Sequence, residues 1–570
     1  MKKSNLRRDN IIQLLLTLVI AVLLVFISSH IYYRVDLTSE KRYSLSVSTR
    51  QILNELASPV FVQIYLDGEM PVGFKKLRRS VKDMLDEFRI QSGKKVIYEF
   101  IDPFDFNSQE EKKEMMETLY EKGLQPINIH DRDEEGGVSQ KMVFPGMIMN
   151  YNGMEMTVNI LENNPAQSPA QNLNNSIEGL EYKMIQVIQN LSADTIYNIA
   201  FLEGHGELDE FSVGDITYEL AKYYNVDRGV MGGKLNILDK YAALIIAKPE
   251  LRFSEADKFV IDQYIMNGGR VLWLLDAVEV RSDSLQSAGS TAGLYRPLNL
   301  VDQLFKYGVR VNPKIVQDQQ CSIIPINIAL VGQQPRFSPV PWIYFPLLTP
   351  FNNHPVTKNL NLIKSEYINT LDTVGAIPGI KKNYLLYTSK FSRLISPPVR
   401  ISLEELKNPP APKEFNVSHL PVAILLEGSF ESVFKNRPTD RYIGEMKYQI
   451  IEKSVPTKMI VVADGDIIRN EVRHTATRDI PLPLGQDRYT KQIYGNKDFI
   501  LNSVNYLIDD INLMNIRSKE LKLRLLNKER IKKEQFKWKL INVVFPVIFI
   551  IIFGVLVVLI RKRKYTRVGV

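Results

Sequence analysis

The run Leu540–Ile560, LINVVFPVIFIIIFGVLVVLI, contains no charged residue. At a rise of about 1.5 Å per residue, a helix of this length crosses a hydrocarbon core of about 30 Å. Lys537 and Lys539 precede it, and Arg561-Lys562-Arg563-Lys564 follow. Pro546 and Gly554 are compatible with a span, because membrane helices tolerate both. The alternative is a buried core helix, but core helices rarely run this far without a charge. A second apolar stretch, Ile11–Ile31, lies behind a short basic N-terminus. That flank has the look of a signal peptide, but the run is longer than a signal core and no small-residue cleavage site follows. It is read as an uncleaved anchor, with a cleaved signal as the alternative.

Two spans put both termini on one side of a bilayer. Basic short tails mark the cytoplasmic side. Residues 1–10 and 561–570 are therefore expected in the cytoplasm, and the body between the spans in the periplasm of an inner-membrane protein. The net charge of +8 hides this layout. The first ten residues carry +3, the last ten +5 and Asn515–Lys539 +7, which leaves −7 for the body Arg34–Met514. The basic 515–539 segment abuts a span and argues the other way, but loop charge counts for less in long loops. An acidic body removes the electrostatic support for nucleic-acid binding. The single cysteine, Cys321, excludes an internal disulfide and any multi-cysteine metal site.

At 570 residues the chain is too long for one core. Between the spans, the pattern predicts two α/β domains. In the first, over 34–162, Ser46 or Ser48 caps a helix continuing through Leu56. A strand at Val60–Tyr65, a helix at Phe74–Gln91 and a strand at Val96–Ile101 follow. A helix at Gln109–Lys122 and strands near Lys141–Asn150 and Met154–Asn159 complete it, the last two joined at Asn152-Gly153. This order resembles a thioredoxin-like domain, without a Cys-x-x-Cys. Residues 163–195 are read as a linker, polar over Asn163–Asn175, and then a helix at Ile177–Leu191.

The second domain spans 196–514. Strands at Asn198–Leu202, Tyr241–Ala247 and Arg270–Leu275 alternate with helices at Asp215–Tyr224 and Ser254–Asn267, which predicts a parallel sheet. A helix at Leu300–Tyr307 follows. The proline-rich Pro325–Pro355 is expected to be irregular. Further strands are read at Tyr384–Thr388, Val422–Glu427 and Met459–Asp464, and a helix at Lys497–Ile508. Asn515–Lys539 is read as a charged juxtamembrane helix with enough apolar residues to pack against a membrane partner, lipid or the ectodomain.

Two clusters are candidates for ligand binding. Glu203, His205 and Glu207 follow a strand, where open α/β sheets bind their ligands. A general base or a carboxylate–imidazole metal site would use these residue types. Gly204 and Gly206 equally suit a tight turn. Asp464 and Asp466, around Gly465, suit a calcium or phosphate turn, or simply a turn. No G-x-x-x-x-G-K-[ST], G-x-G-x-x-G or G-x-S-x-G occurs, so no P-loop, dinucleotide fingerprint or nucleophile elbow is present. No cofactor, no metal and no catalytic residue is assigned. A periplasmic hydrolase or amidase-like enzyme using His205, and a ligand or glycan sensor, are the alternatives to a non-catalytic role.

Four stretches carry a resemblance to a family: Arg34–Ser46 (RVDLTSEKRYSLS), Gly204-His205-Gly206-Glu207, Asn267–Asp276 (NGGRVLWLLD) and Asn496–Leu507 (NKDFILNSVNYL). Together they resemble GldG, the gliding-motility-associated ABC transporter auxiliary protein family of Bacteroidetes-type bacteria. The residues matched in the first two motifs are Arg34, Asp36, Leu37, Thr38, Arg42, Tyr43 and Ser44, with Gly204 and Gly206. The resemblance implies a central flavodoxin-like or class I glutamine-amidotransferase-like domain, a fold also seen in an intraflagellar transport protein. It further implies a multi-span permease and a cytoplasmic ATPase as partners, and a link to gliding or secretion. No Cys-His-Glu set is visible, so amidase chemistry is not implied.

Overall fold

The computed structural model describes residues 3–30, 44–105, 108–132, 138–162, 164, 167–193, 195–327, 329, 334, 336–351, 353–375, 377–438, 449–475, 478–518 and 528–566. Of the family-motif residues, Arg34, Asp36, Leu37, Thr38, Arg42 and Tyr43 lie outside the described residues, and Ser44 lies inside them. Met1–Lys519 form one compact unit and Glu520–Val570 another.

The first unit begins with helix α1 (Lys3–His30), which is apolar over Ile11–Leu23. Helix α2 (Val47–Glu55) is capped by Ser46, whose Oγ accepts the Thr49 N–H at 3.0 Å. Strand β1 (Val60–Ile64), helix α3 (Val72–Gln91), strand β2 (Val96–Phe100) and helix α4 (Gln109–Glu121) follow. A hairpin of β3 (Ile127–Arg132) and β4 (Val138–Val143) comes next, then one of β5 (Gly146–Tyr151) and β6 (Met154–Asn159). One sheet has the order β2-β1-β5-β6, with β1 and β2 parallel and the other pairs antiparallel. Asn152 and Gly153 have φ of 52° and 85°, as a two-residue hairpin turn with both central residues at positive φ requires.

Two expectations fail here. The strand read near Lys141–Asn150 is broken at Phe144-Pro145, so that it ends one hairpin and begins the next. The polar stretch Asn163–Asn175 is helical from Pro169, where helix α5 (Pro169–Ser192) starts behind the cap Ser168. Proline is preorganised for the first helical position, so a polar composition there does not prevent a helix. α5 buries Leu180, Met184, Ile185 and Ile188 in the same core as Leu77, Val81, Leu85 and Phe88 of α3.

The central domain is built on β7 (Asn198–Glu203), α6 (Gly214–Ala221), β8 (Asn225–Val230), β9 (Ala243–Ala247), α7 (Glu255–Met266) and β10 (Arg270–Leu274). A long insertion then supplies β11 (Cys321–Asn327), β12 (Phe337–Pro350), β13 (Ile380–Tyr387) and β14 (Pro421–Gly428). β15 (Thr457–Val462) and helix α8 (Asn496–Ile508) complete the domain. The main sheet runs β11-β12-β13-β14-β15-β10-β9-β7-β8. β15, β10, β9, β7 and β8 are mutually parallel. Counted along the chain these five have the order 2-1-3-4-5, that of flavodoxin-type doubly wound sheets, and the order reverses between β7 and β9. Leu244, Ile245, Ile246, Val271, Leu272, Trp273 and Leu274 are fully buried. Both sheet faces are therefore covered, which is why these strands read as continuous apolar runs rather than alternating ones.

The proline-rich Pro325–Pro355 contains a 14-residue strand, β12, rather than an irregular loop. Its burial alternates, with Trp342, Tyr344 and Leu348 facing inward. Pro339 and Pro341 are two residues apart, so their missing N–H groups fall on one side of the strand. The apolar alternation outweighs the prolines. After α8, Leu513–Ser518 is a 3-10 turn, not the start of the helix expected from Asn515. Its Leu513, Met514 and Ile516 are buried in the N-terminal core. Ile516 thus packs into the N-terminal α/β domain.

The second unit holds helix α9 (Lys528–Thr566), with Pro546 inside it. Among the described residues, Glu534–Ile560 is the stretch long and apolar enough to cross a membrane.

Candidate functional site

Both candidate clusters stand at the carboxyl ends of the parallel strands. The loop after β7 needs its glycines. Gly204 and Gly206 have φ of 111° and 73°. They turn the chain so that the His205 carbonyl accepts the Glu250 N–H at 2.8 Å and the Leu251 N–H at 2.7 Å from the loop after β9. The Leu208 N–H donates to the Ala247 carbonyl at 3.0 Å. The two loops flanking the order reversal are therefore stitched together across the position where such sheets bind their ligands.

His205 is 6% exposed and its ring stacks on Phe253 at 3.8 Å. Nδ1 lies 3.2 Å from Glu207 Oε1, and Nε2 lies 3.3 Å from Asp257 Oδ2. Glu207 Oε2 also accepts the His205 N–H at 2.7 Å. Asp257 Oδ1 accepts the Gly233 N–H at 3.0 Å, which draws in the loop after β8. Burial disfavours the imidazolium, but Glu207 and then Asp257 outweigh it and raise the His205 pKa. With a carboxylate at each nitrogen, the ring holds three loops together and offers no free nitrogen to a substrate. Glu203 does not join it: its Oε1 accepts from Arg228 Nε at 2.8 Å, and Arg228 Nη2 donates to the Leu208 carbonyl at 2.7 Å.

The second cluster is larger than the sequence indicated. Asp464 and Asp466 follow β15, Asp276 follows β10 and Lys248 follows β9. Oxygens of Asp276, Asp464 and Asp466 lie within 4.8 Å of one another, close enough to surround a cation. The cation already there is Lys248, whose Nζ is 2.6 Å and 2.7 Å from the two Asp466 oxygens and 3.7 Å from Asp276 Oδ2. Arg469 adds a contact to Asp466 at 3.0 Å. The Gly465 N–H donates to Asp276 Oδ1 at 2.7 Å, and the Asp466 N–H to Asp464 Oδ1 at 2.8 Å.

Burial works against the Asp466 carboxylate, but Arg469 and Lys248 hold its pKa below the usual range. Burial raises Asp276 despite Lys248. Burial, with Asp276 and Asp466 beside it, pushes Asp464 well above the usual range. Asp464 is fully buried and its Oδ2 has no hydrogen-bond partner. Lys248 and Arg469 thus set two internal cations against this carboxylate cluster, and Arg469 also reaches Glu366 at 2.8 Å.

The sequence reading named Asp464, Asp466, His205 and Glu207 but missed Lys248, Asp276, Arg469, Asp257 and Phe253 as members of these networks. A signal existed for two of them. Lys248 and Asp276 are charged residues just past continuous apolar strands, and a charge there faces the crevice of an open sheet.

The chain thus combines a doubly wound α/β body, whose strand-end edge carries its own ion pairs, with a helix long and apolar enough to cross a membrane. Comparison with known proteins gives the class. Residues 197–503, more than half of the chain, match the ABC-type uncharacterized transport system family, and the chain belongs to that family. Membership gives it an accessory role in a transport system and partnership with transporter components. Residues 39–150 match a domain family of unknown function. An uncharacterized protein of Borreliella burgdorferi is 21% identical over 586 residues, covering 98% of this chain and 99% of that one. The N-terminal domain of mmIFT52 is similar to 55% of this chain at 13% identity, covering 99% of that domain, with a TM-score of 0.31. A score that low carries no argument about this chain.

Proposed function

We propose that this protein is a non-catalytic subunit of an ABC-type transporter in the cytoplasmic membrane, with both termini cytoplasmic and both α/β domains periplasmic. It couples the motion of a multi-span permease to the periplasm and takes its energy from an ATPase on another chain, as the absence of a P-loop motif indicates. The likeness to the GldG family supports a role in gliding or secretion. The β-α-β, hairpin and helix order of the first domain supports a thioredoxin-like scaffold, and without a Cys-x-x-Cys it serves as structure alone. The observation that carries this reading is the closed strand-end edge. His205 is engaged by Glu207 and Asp257, Asp466 by Lys248 and Arg469, Glu203 by Arg228, and Asp464 accepts the Asp466 N–H.

The test is affinity purification of the tagged full chain in mild detergent. A multi-span permease and an ATPase in stoichiometric amounts are expected. A solitary protein with a hydrolytic or amidase activity that His205→Ala abolishes would overturn the reading.

A further inference from the structure

The chain entering the body from α1 and the chain leaving it toward α9 are held by consecutive residues of one helix. These are Glu181 and Tyr182 of α5, which are 5% and 6% exposed. Glu181 Oε1 accepts the Ser46 N–H at 2.6 Å and the Thr49 hydroxyl at 2.8 Å. It thereby fixes the start of α2, the first helix after α1 among the described residues. The Tyr182 hydroxyl donates to Met514 Sδ at 2.7 Å, in the 3-10 turn that ends the first unit's described residues. The two segments also meet directly: Ser48 Oγ donates to the Ile511 carbonyl at 2.9 Å, between residues 463 positions apart.

The outgoing segment is tied to the central domain as well. Arg517 Nη1 donates to Asn502 Oδ1 and Nη2 to the Lys358 carbonyl, and its guanidinium lies 5.5 Å from the Tyr182 ring centroid. Leu513, Met514 and Ile516 are buried among α2, α3 and α5 side chains.

We infer that α5 is a clamp in which Glu181 and Tyr182 bind the incoming and outgoing tethers into one joint. A pull on either tether then reaches the N-terminal domain at a single joint, and passes to the central domain through Arg517 and through the backbone that links the 3-10 turn to α8. Buried polar contacts suit this use, because opening the joint strands a desolvated carboxylate and backbone donors. The purpose assigned to the clamp rests on the accessory-subunit reading. The clamp itself does not.

Hydrogen–deuterium exchange of the purified full chain in detergent, read by mass spectrometry, tests it. Glu181→Ala leaves the Ser46 N–H and Thr49 hydroxyl without their acceptor. Exchange over residues 46–52 is expected to rise about fivefold to tenfold, the size of a lost helix cap. Exchange over residues 511–516 is expected to rise with it, while β9 and β10 stay unchanged. Ser48→Ala, which touches no core, is expected to raise exchange over 511–516 alone by about twofold to fivefold, as one lost hydrogen bond would. The clamp is refuted if Glu181→Ala perturbs 46–52 and leaves 511–516 at the wild-type rate, or if Ser48→Ala changes nothing. If Glu181→Ala unfolds the whole domain, Tyr182→Phe, which removes only the hydroxyl donated to Met514 Sδ, decides: exchange over 511–516 at the wild-type rate refutes the clamp. Because no partner is needed, a failed clamp is distinguishable from a failed purification of the permease.

Discussion

Lys248→Met removes the ammonium that lies 2.6 Å from Asp466 and 3.7 Å from Asp276. Methionine keeps the length of the side chain, so the change is chiefly one of charge. Lys248 is 13% exposed, Asp466 7% and Asp276 8%, so water cannot replace the lost partner. Breaking a buried pair from one side typically costs about 3–5 kcal/mol. Arg469 remains 3.0 Å from Asp466 and takes up part of the loss, which places the expectation at about 3 kcal/mol. For a domain of this size, that corresponds to a melting temperature lower by about 4–5 °C.

The pH dependence follows from the sign of the Asp466 shift. Its folded pKa is depressed, so the stability it contributes is present above its unfolded value and disappears as pH falls through the folded value. The gap between wild type and Lys248→Met is therefore widest near neutrality and narrows below about pH 4, where the carboxylates take up protons. The double variant Lys248→Met with Asp466→Asn should recover more than half of the loss. The assay is urea unfolding of the full chain in detergent, followed by the fluorescence of buried Trp273 and Trp342. A Lys248→Met protein within about 1 kcal/mol of wild type at pH 7, the size of an exposed ion pair, refutes the internal-cation account.

His205 has a raised pKa, so its contribution is complete below the unfolded value of 6.5 and is lost as pH rises through the folded value. The wild-type melting temperature should fall over that window, and that of His205→Ala should not, as differential scanning fluorimetry from pH 5 to 9 would record. His354 shows the opposite case. Burial, then Lys381 and Lys458, lower its pKa to about 4, so stability is lost as pH falls from 6.5 toward 4. At pH 5 the His354→Gln protein should therefore lose less stability relative to pH 8 than wild type does, the full linkage being at most about 3 kcal/mol. Gly428→Ala should destabilise the central domain by about 2 kcal/mol or more, measured by the same urea titration. Its Cβ would stand 2.1 Å from the Gly379 carbonyl oxygen, at a φ of +144° that only glycine adopts freely.

What the sequence made legible was local. The caps Ser46 and Ser254, the Asn152-Gly153 turn and the apolar runs of β7, β9 and β10 each depend on neighbours within a few residues. What it hid was long-range. Asp276 meets the Gly465 N–H across 189 positions, and no spacing rule predicts which strand ends become neighbours. β12 was obscured because prolines were weighed singly, although two of them share one side of the strand. Helix α5 was cut short because asparagines and glutamines mark a loop only when no cap and no packing face accompany them. In the Glu203–Glu207 motif the positive-φ glycines were legible as a turn, while the contact of His205 with Asp257, 52 positions on, was not.

The insertion between β10 and β15 has a consequence for biogenesis. Thr457 Oγ1 reaches the Gly268 carbonyl across 189 residues, and Val271 pairs with Met459. A chain that emerges from its amino end therefore completes β7 through β10 long before β15 exists. During that interval one edge of β10, apolar and buried from Val271 to Leu274, has no neighbour. Unpaired apolar edges recruit other chains, and distant pairings are slow to close. Whatever escorts this protein to its destination must shield that edge until residue 462 has arrived, and a truncation upstream of β15 should aggregate rather than yield a smaller stable domain.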